Sequence, residues 1–97
     1  MSFLNEYNFD LLKNEAEVLV IREMENQLKK ETDMCLCNEC VVDIAAIALN
    51  SVKPLYRFSL LGTLYASQAM TEQSYADSVK KAVSEAIQKV KNNPAHD

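Results

Sequence analysis

The chain has one glycine, Gly62, and one histidine, His96, among its 97 residues. Phosphate-binding loops of the Walker or dinucleotide type need several glycines at fixed spacing, so neither loop can be written here. A Ser-His-Asp or Cys-His catalytic site would have to recruit His96, which is next to the last residue, and terminal residues are generally poorly ordered. We therefore expect a protein that is not an enzyme.

Long apolar runs are also missing. No segment approaches the roughly 20 apolar residues that span a bilayer. The first residues, MSFLNEYNFDLL, lack the basic segment followed by an apolar one that marks a secretory signal. We expect a cytoplasmic protein without membrane contact, where thiols stay reduced and clustered cysteines are metal ligands or redox groups rather than disulfides.

The bulk composition is that of a globular protein. Hydrophobic residues make up 48% of the chain, which is too many for a disordered one. Residues 1–97 fit a single domain whose core is small enough to benefit from a metal or a partner subunit. The net charge of -4 argues against direct nucleic-acid binding, although it leaves room for a local basic pocket that takes a small anion.

Three segments have apolar residues at helical spacing. They run from Leu4 to Lys30, from Glu39 to Leu49 and from Glu72 to Asn92. The first predicts one long helix, or a short helix followed by a longer one. The second is apolar nearly all round, so we expect it to be the central, buried helix. Asn38 and Thr71 are the expected N-caps of the second and third helices.

The apolar faces of the two outer helices differ in width. The third helix has one face, formed by Tyr75, Val79, Ala82, Val83, Ala86, Ile87 and Val90. The first has a stripe formed by Leu12, Ala16, Leu19, Val20, Met24 and Leu28. Val18 and Ile21 widen that stripe beyond what two short helices cover easily. This width predicts a homodimer, with an unusually well-wrapped monomer as the alternative.

The stretch from Pro54 to Met70 has an ambiguous pattern. Pro54 ends the central helix, since the residue before a proline avoids the helical region. Alternate positions are apolar or aromatic at Val52, Pro54, Tyr56 and Phe58, which fits a short extended piece. Leu60 to Tyr65, around Gly62, fits a helical turn or a loop equally well.

A cysteine cluster opens the central helix. Cys35, Cys37 and Cys40 form the pattern Cys-x-Cys-x-x-Cys. Two sulfurs must reach one zinc ion at about 2.3 Å each, so close cysteines at a turn are typical of zinc sites. A helix start also lowers thiol pKa values. We predict a zinc site here, with a fourth ligand from His96, a carboxylate such as Asp43, a water or another subunit.

Two other interpretations of the cluster stay open. The cysteines are structural thiols beside a buried helix in one of them, since free cysteine is a common core residue. In the other, Cys37 and Cys40 form a redox pair. Three cysteines within six residues favour the metal over both.

A basic and aromatic group follows the central helix. Lys53 and Arg57 suit a phosphate, and Tyr56 suits stacking on a base. These three are candidate nucleotide-binding residues. The alternative is an exposed turn anchored by one aromatic residue.

From Cys35 to Tyr56 the chain reads Cys-x-Cys-x-x-Cys-x-x-Asp-Ile-x-Ala-x-Ala-Leu-Asn-x-x-x-Pro-x-Tyr. This stretch resembles the late competence development protein ComFB family, and residues 14–27 and 80–94 fit the family's outer helices more weakly. The resemblance implies a small all-helical cytoplasmic homodimer without catalytic activity. It also implies that Cys35, Cys37 and Cys40 bind zinc. Some members are receptors for cyclic di-GMP and influence competence or motility through partner proteins.

Together, the residues and the resemblance predict an all-α domain of three to four helices, with the metal site at the start of the central one. The expected function is a regulatory module that binds zinc and cyclic di-GMP and acts on a protein partner. The first alternative is a zinc-stabilised structural or adaptor protein without a small ligand. The second is a thiol redox protein.

Overall fold

The computed structural model describes residues 2–57 and 73–94. Its elements in chain order are helix α1 (Phe3–Glu6), a 3-10 turn (Phe9–Leu11), strand β1 (Lys13–Asn14), helix α2 (Ala16–Leu28), helix α3 (Asn38–Leu49), strand β2 (Tyr56–Arg57) and helix α4 (Gln73–Asn92). These two ranges are mostly helical, which agrees with the all-α prediction. No helix within them is both long enough and apolar enough to cross a bilayer.

The core lies where α2, α3 and α4 meet, because α3 packs against both other helices. Its fully buried side chains include Val20 of α2, Ile44 of α3 and Val83 of α4. The buried residues of α4 are Tyr75, Val79, Ala82, Val83, Ala86, Ile87 and Val90. This set is the face that the spacing predicts, so the amphipathic pattern alone places the helix correctly.

Helix α3 is central, but it is not buried all round. Its buried residues are Cys40, Ile44 and Ala48, one stripe at a spacing of four. On the other side Val42 is 57% exposed and Ala46 is exposed too. The expected central helix is therefore buried on one side within this chain, because two helices cover only part of its circumference.

The first predicted helical segment is a short helix, α1, followed by the longer α2. Between them the chain is extended, and β1 pairs with β2 in an antiparallel two-stranded sheet. Lys13 lies opposite Arg57 and Asn14 opposite Tyr56. The extended piece that alternation allowed after the central helix thus forms at Tyr56–Arg57. Phe58, Gly62 and the rest of residues 58–72 lie outside the described residues.

The predicted caps have different outcomes. Asn38 was expected to cap the central helix, and this is wrong because Asn38 is its first helical residue and Cys37 is the cap. Cys37 is the N-cap because its side chain accepts a hydrogen bond from the helix backbone, as the side chain of a capping residue does. Thr71 and Glu72 lie outside the described residues, so the predicted cap of α4 is untested.

Two side chains hold the turn after α3 in place. The Oδ1 atom of Asn14 accepts hydrogen bonds from the backbone N–H of Leu55, at 2.7 Å, and of Ala16, at 3.2 Å. The hydroxyl of Tyr75 donates to the backbone carbonyl of Lys53, also at 2.7 Å. These bonds connect the turn to the start of α2 and to α4, which fixes Lys53, Leu55 and Tyr56 against the helices.

Burial raises the pKa of Tyr75 above its usual value. A phenol that ionises less readily when folded stabilises the fold below the unfolded pKa, which is about 10. This contribution is lost as the pH rises through 10 towards the folded pKa. We expect Tyr75→Phe to cost about 1 kcal/mol near neutral pH, since the Lys53 carbonyl loses its donor. The difference in stability between Tyr75→Phe and the wild type should shrink as the pH rises above about 10, because only the wild type must ionise a buried phenol.

Urea unfolding of both proteins across this pH range measures the difference, and the exposed Tyr7 provides a matched Tyr7→Phe control. The lysines titrate in the same pH range in every variant, so their effect on stability cancels when a variant is compared with the wild type. If the deficit of Tyr75→Phe stays constant with pH, the buried phenol does not couple folding to proton binding.

Candidate metal centre

Three cysteines converge at the start of α3. Cys35 lies in the connection from α2, Cys37 caps α3 and Cys40 lies in its first turn. The three Sγ atoms lie within 4.8 Å of one another. Their burial is graded, since Cys35 is exposed, Cys37 is half-buried and Cys40 is 1% exposed. The group therefore has an inner side on the core and an outer side that faces solvent.

The backbone explains why Cys37 points at this place. Its φ of -71° and ψ of 164° are extended, while the residues after it are helical. Its carbonyl accepts the helical hydrogen bond of Val41, at 3.0 Å. Its sulfur accepts the N–H of Cys40, at 3.4 Å. A backbone N–H that would otherwise lack an intrahelical partner is thus satisfied by sulfur.

Hydrogen bonds lower the pKa of Cys35. The largest cause is the backbone N–H of Cys37, followed by the Cys37 side chain, and the Cys40 side chain adds a smaller effect in the same direction. Burial and the negative charge of Glu39 act against them and raise the pKa. The net direction favours the thiolate at the most exposed of the three sulfurs.

The geometry of the cluster fits a tetrahedral metal site. With metal–sulfur bonds of about 2.3 Å, two ligands of a tetrahedral zinc lie about 3.8 Å apart. Sulfurs that already lie within 4.8 Å of one another reach that spacing by small side-chain rotations. Three close cysteines can therefore hold a metal ion, as the sequence pattern predicts.

The candidates for a fourth ligand have different outcomes in the structure. Asp43 is not part of the group formed by the three cysteines. His96 lies outside the described residues. A cleft of about 420 Å³ borders the cluster and is lined by Cys35, Cys37, Asn38 and Glu39. The sequence pattern did not single out Glu39 as a residue of this cleft. Its position between Cys37 and Cys40 in the sequence is the feature that indicates it.

The predicted nucleotide-binding residues lie elsewhere. The side chain of Lys53 is exposed, and its backbone carbonyl is the acceptor of Tyr75. Tyr56 is 54% exposed. The backbone of Arg57 pairs with Lys13, and its side chain lies outside what the structure describes.

Tyr56 lines a second cleft, of about 550 Å³, between β2 and the N-terminal segment. The cleft has apolar and ionisable walls, formed by Phe9, Asp10, Leu12, Lys13, Asn14, Glu15, Glu17, Val18 and Tyr56. It shares no lining residue with the cleft at the cysteines. The meeting of the N-terminal residues with Tyr56 has no local sequence signal, because the pairing of β1 with β2 joins segments more than 40 residues apart.

Comparison with known proteins identifies the family of the chain. The profile of the late competence development protein ComFB family matches residues 13–94. The solved structure of the late competence protein ComFB from Bacillus subtilis is similar with a TM-score of 0.66 and 20% sequence identity. That similarity covers 86% of this chain and 93% of the other, and at this identity it shows a common fold. The comparison with curated protein sequences gives no match. Because the family profile matches most of its length, the chain belongs to the late competence development protein ComFB family.

Proposed function

We propose that this protein is a non-enzymatic, competence-related regulatory module that binds zinc through Cys35, Cys37 and Cys40. In this proposal residues 1–97 form one domain, which acts in the cytoplasm as a homodimer and binds cyclic di-GMP. The observation that carries it is the convergence of the three sulfurs within 4.8 Å at the start of the helix on which both other long helices pack.

The chemistry of the cluster supports zinc. Thiolates are soft ligands that select zinc, copper(I) or iron–sulfur clusters over magnesium and calcium. Three sulfurs on one short segment match the structural zinc sites that keep a turn in one conformation. A bound ion would fix the connection between α2 and α3 to the N-terminus of α3, and binding would then add to folding stability.

Exposed apolar residues support the homodimer. Val18 and Ile21 lie on α2 and are 42% and 56% exposed, while Val20 on the opposite side is fully buried. Leu11 and Leu12, which precede β1, are also about half exposed. We call Val18 and Ile21 the outer face of α2, and Val18 lies where this face meets the cleft at Tyr56. A second copy packed on this face would remove it from water, and a twofold axis presents the same face of both copies.

The cleft at Tyr56 supports a purine nucleotide. Tyr56 and Phe9 offer aromatic rings for stacking, and Lys13 offers a charge for a phosphate. The antiparallel register places the backbones of Lys13 and Arg57 side by side. Carboxylates from Asp10 and Glu17 line the same cleft and can accept hydrogen bonds from the N–H groups of a guanine base. Cyclic di-GMP has the groups that match these side chains, since it contains two guanine bases and two phosphates.

Cys37→Ser tests the zinc site without removing the helix cap, because serine is itself a good N-cap. We expect zinc content to fall from about one ion per chain to a small fraction, since the serine hydroxyl is a poor zinc ligand. The stability of the metal-free protein should stay close to that of the wild type. Elemental analysis after dialysis and thermal unfolding with and without a chelator measure the two effects.

Asp43→Asn is the control for this experiment, since it changes a nearby charge outside the sulfur group. Equal zinc content in the wild type and Cys37→Ser would exclude the site. A wild type that binds no zinc, and whose unfolding a chelator leaves unchanged, would favour structural thiols.

Tyr56→Ala tests the nucleotide proposal. We expect calorimetric titration of the zinc-loaded wild type with cyclic di-GMP to saturate, and GTP to bind far more weakly. Loss of one stacking ring should weaken binding by about 1–3 kcal/mol, or roughly 5- to 150-fold. Tyr7→Ala is the matched control, since Tyr7 is 57% exposed and does not line the cleft. If the wild type binds no nucleotide, the adaptor without a small ligand becomes the better explanation.

Ile21→Asp tests the homodimer. A charge on the outer face of α2 should lower the dimer fraction strongly, because an unpaired carboxylate would be desolvated at the interface. Val42→Asp is the matched control, with an apolar residue of the same exposure on α3. Sedimentation equilibrium gives the dissociation constants of all three proteins. A dimer that tolerates Ile21→Asp but not Val42→Asp would place the interface on α3.

A further inference from the structure

We propose that Glu39 supplies the fourth donor to the metal held by Cys35, Cys37 and Cys40, so that the protein closes the site with its own carboxylate. This inference rests on the zinc binding proposed above, and it identifies the residue that the cysteine pattern leaves open.

The position of Glu39 in α3 is the first argument. Cys37 is the N-cap, and Glu39 and Cys40 follow in the first turn of the helix. Glu39 therefore lies on the backbone between two sulfur donors. Cys40 is buried on the core side, whereas Glu39 is exposed. Glu39 also lines the same cleft as the two outer cysteines, Cys35 and Cys37, so it borders the solvent side of the cluster.

The cleft beside the cysteines is the second argument. Four residues line it, and two of them are Cys35 and Cys37. Of the other two, the Asn38 amide is neutral, while the Glu39 carboxylate is an oxygen ligand that zinc accepts at about 2.0–2.2 Å. A carboxylate and a thiolate repel each other when no cation is present. A dication between them attracts both, and this attraction outweighs the repulsion.

Other carboxylates of the described part of the chain are less suited. Asp43 lies further along α3; neither its carboxylate nor that of Glu39 is part of the sulfur group, but only Glu39 lines the cleft. Glu31 precedes the cysteines and pairs with Lys91 of α4, at 3.0 Å. Asp33 is exposed and does not line the cleft. Glu39 is the one carboxylate among the described residues that borders the open side of the cluster.

Four protein ligands have a consequence for function. Structural zinc sites have four protein ligands, whereas catalytic ones keep a position for water or substrate. A site closed by Glu39 holds the turn in one conformation and offers no coordination position for chemistry. This assignment agrees with a regulatory module rather than a hydrolase.

Glu39→Gln tests the assignment, because it keeps the shape of the side chain and removes the charge. The probe is Co²⁺, whose visible absorption reports coordination, together with Zn²⁺ competed by a chromophoric chelator. We expect the zinc affinity of Glu39→Gln to fall by more than the roughly 10- to 100-fold that loss of an outer-shell partner costs, because a direct ligand is removed. The cobalt spectrum should also change when imidazole is added to the variant, since its fourth position is open, but not when imidazole is added to the wild type.

Asp43→Asn is the matched control and should leave both readouts unchanged. Unaltered affinity and spectrum in Glu39→Gln would overturn the assignment while the three-cysteine site stands. An equal loss in a His96→Ala variant, with Glu39→Gln unaffected, would assign the donor to His96 and overturn it too. A wild type that binds neither Co²⁺ nor Zn²⁺ would remove the zinc proposal itself.

Discussion

The hydrogen bond from the N–H of Cys40 to the sulfur of Cys37 starts the helix on which the rest of the structure depends. Helix α3 packs against both α2 and α4, and its stripe of Cys40, Ile44 and Ala48 fills the space between them. One sulfur therefore has two roles, because it satisfies the helix terminus and faces the other two thiols.

These two roles explain why the cysteine pattern could be read from the sequence while its cap could not. Spacing alone shows that three sulfurs can meet, because Cys-x-Cys-x-x-Cys spans a single turn. The choice of cap is a competition between neighbours, and propensity favours Asn38 over a cysteine. The hydrogen bond that the Cys37 sulfur accepts from the N–H of Cys40 decides that competition, and propensities of single residues do not predict it.

The same distinction holds for the rest of the fold. The buried face of α4 follows from a 3.6-residue period, since each of its seven core residues is set by local spacing. The sheet of β1 and β2 depends instead on Asn14, whose side chain bonds to Leu55 across 41 residues. An asparagine after a lysine has no local signature for such a bond. For this reason the cleft at Tyr56, which the N-terminal segment completes, could be seen only in three dimensions.

The two candidate sites lie at opposite ends of α3, and this separation limits how they can influence each other. The helix has 12 residues, so the cysteines and the turn after it are about 18 Å apart along its axis. A metal at one end cannot contact a ligand at the other, and over this distance in salt its charge is largely screened. Coupling would have to pass through the packing of the helices, either of α3 on α4, where Tyr75 holds the Lys53 carbonyl, or along α2, whose first turn lines the cleft. A metal that only stabilises folding would then leave the intrinsic affinity of the cleft unchanged and raise only the folded fraction available to bind.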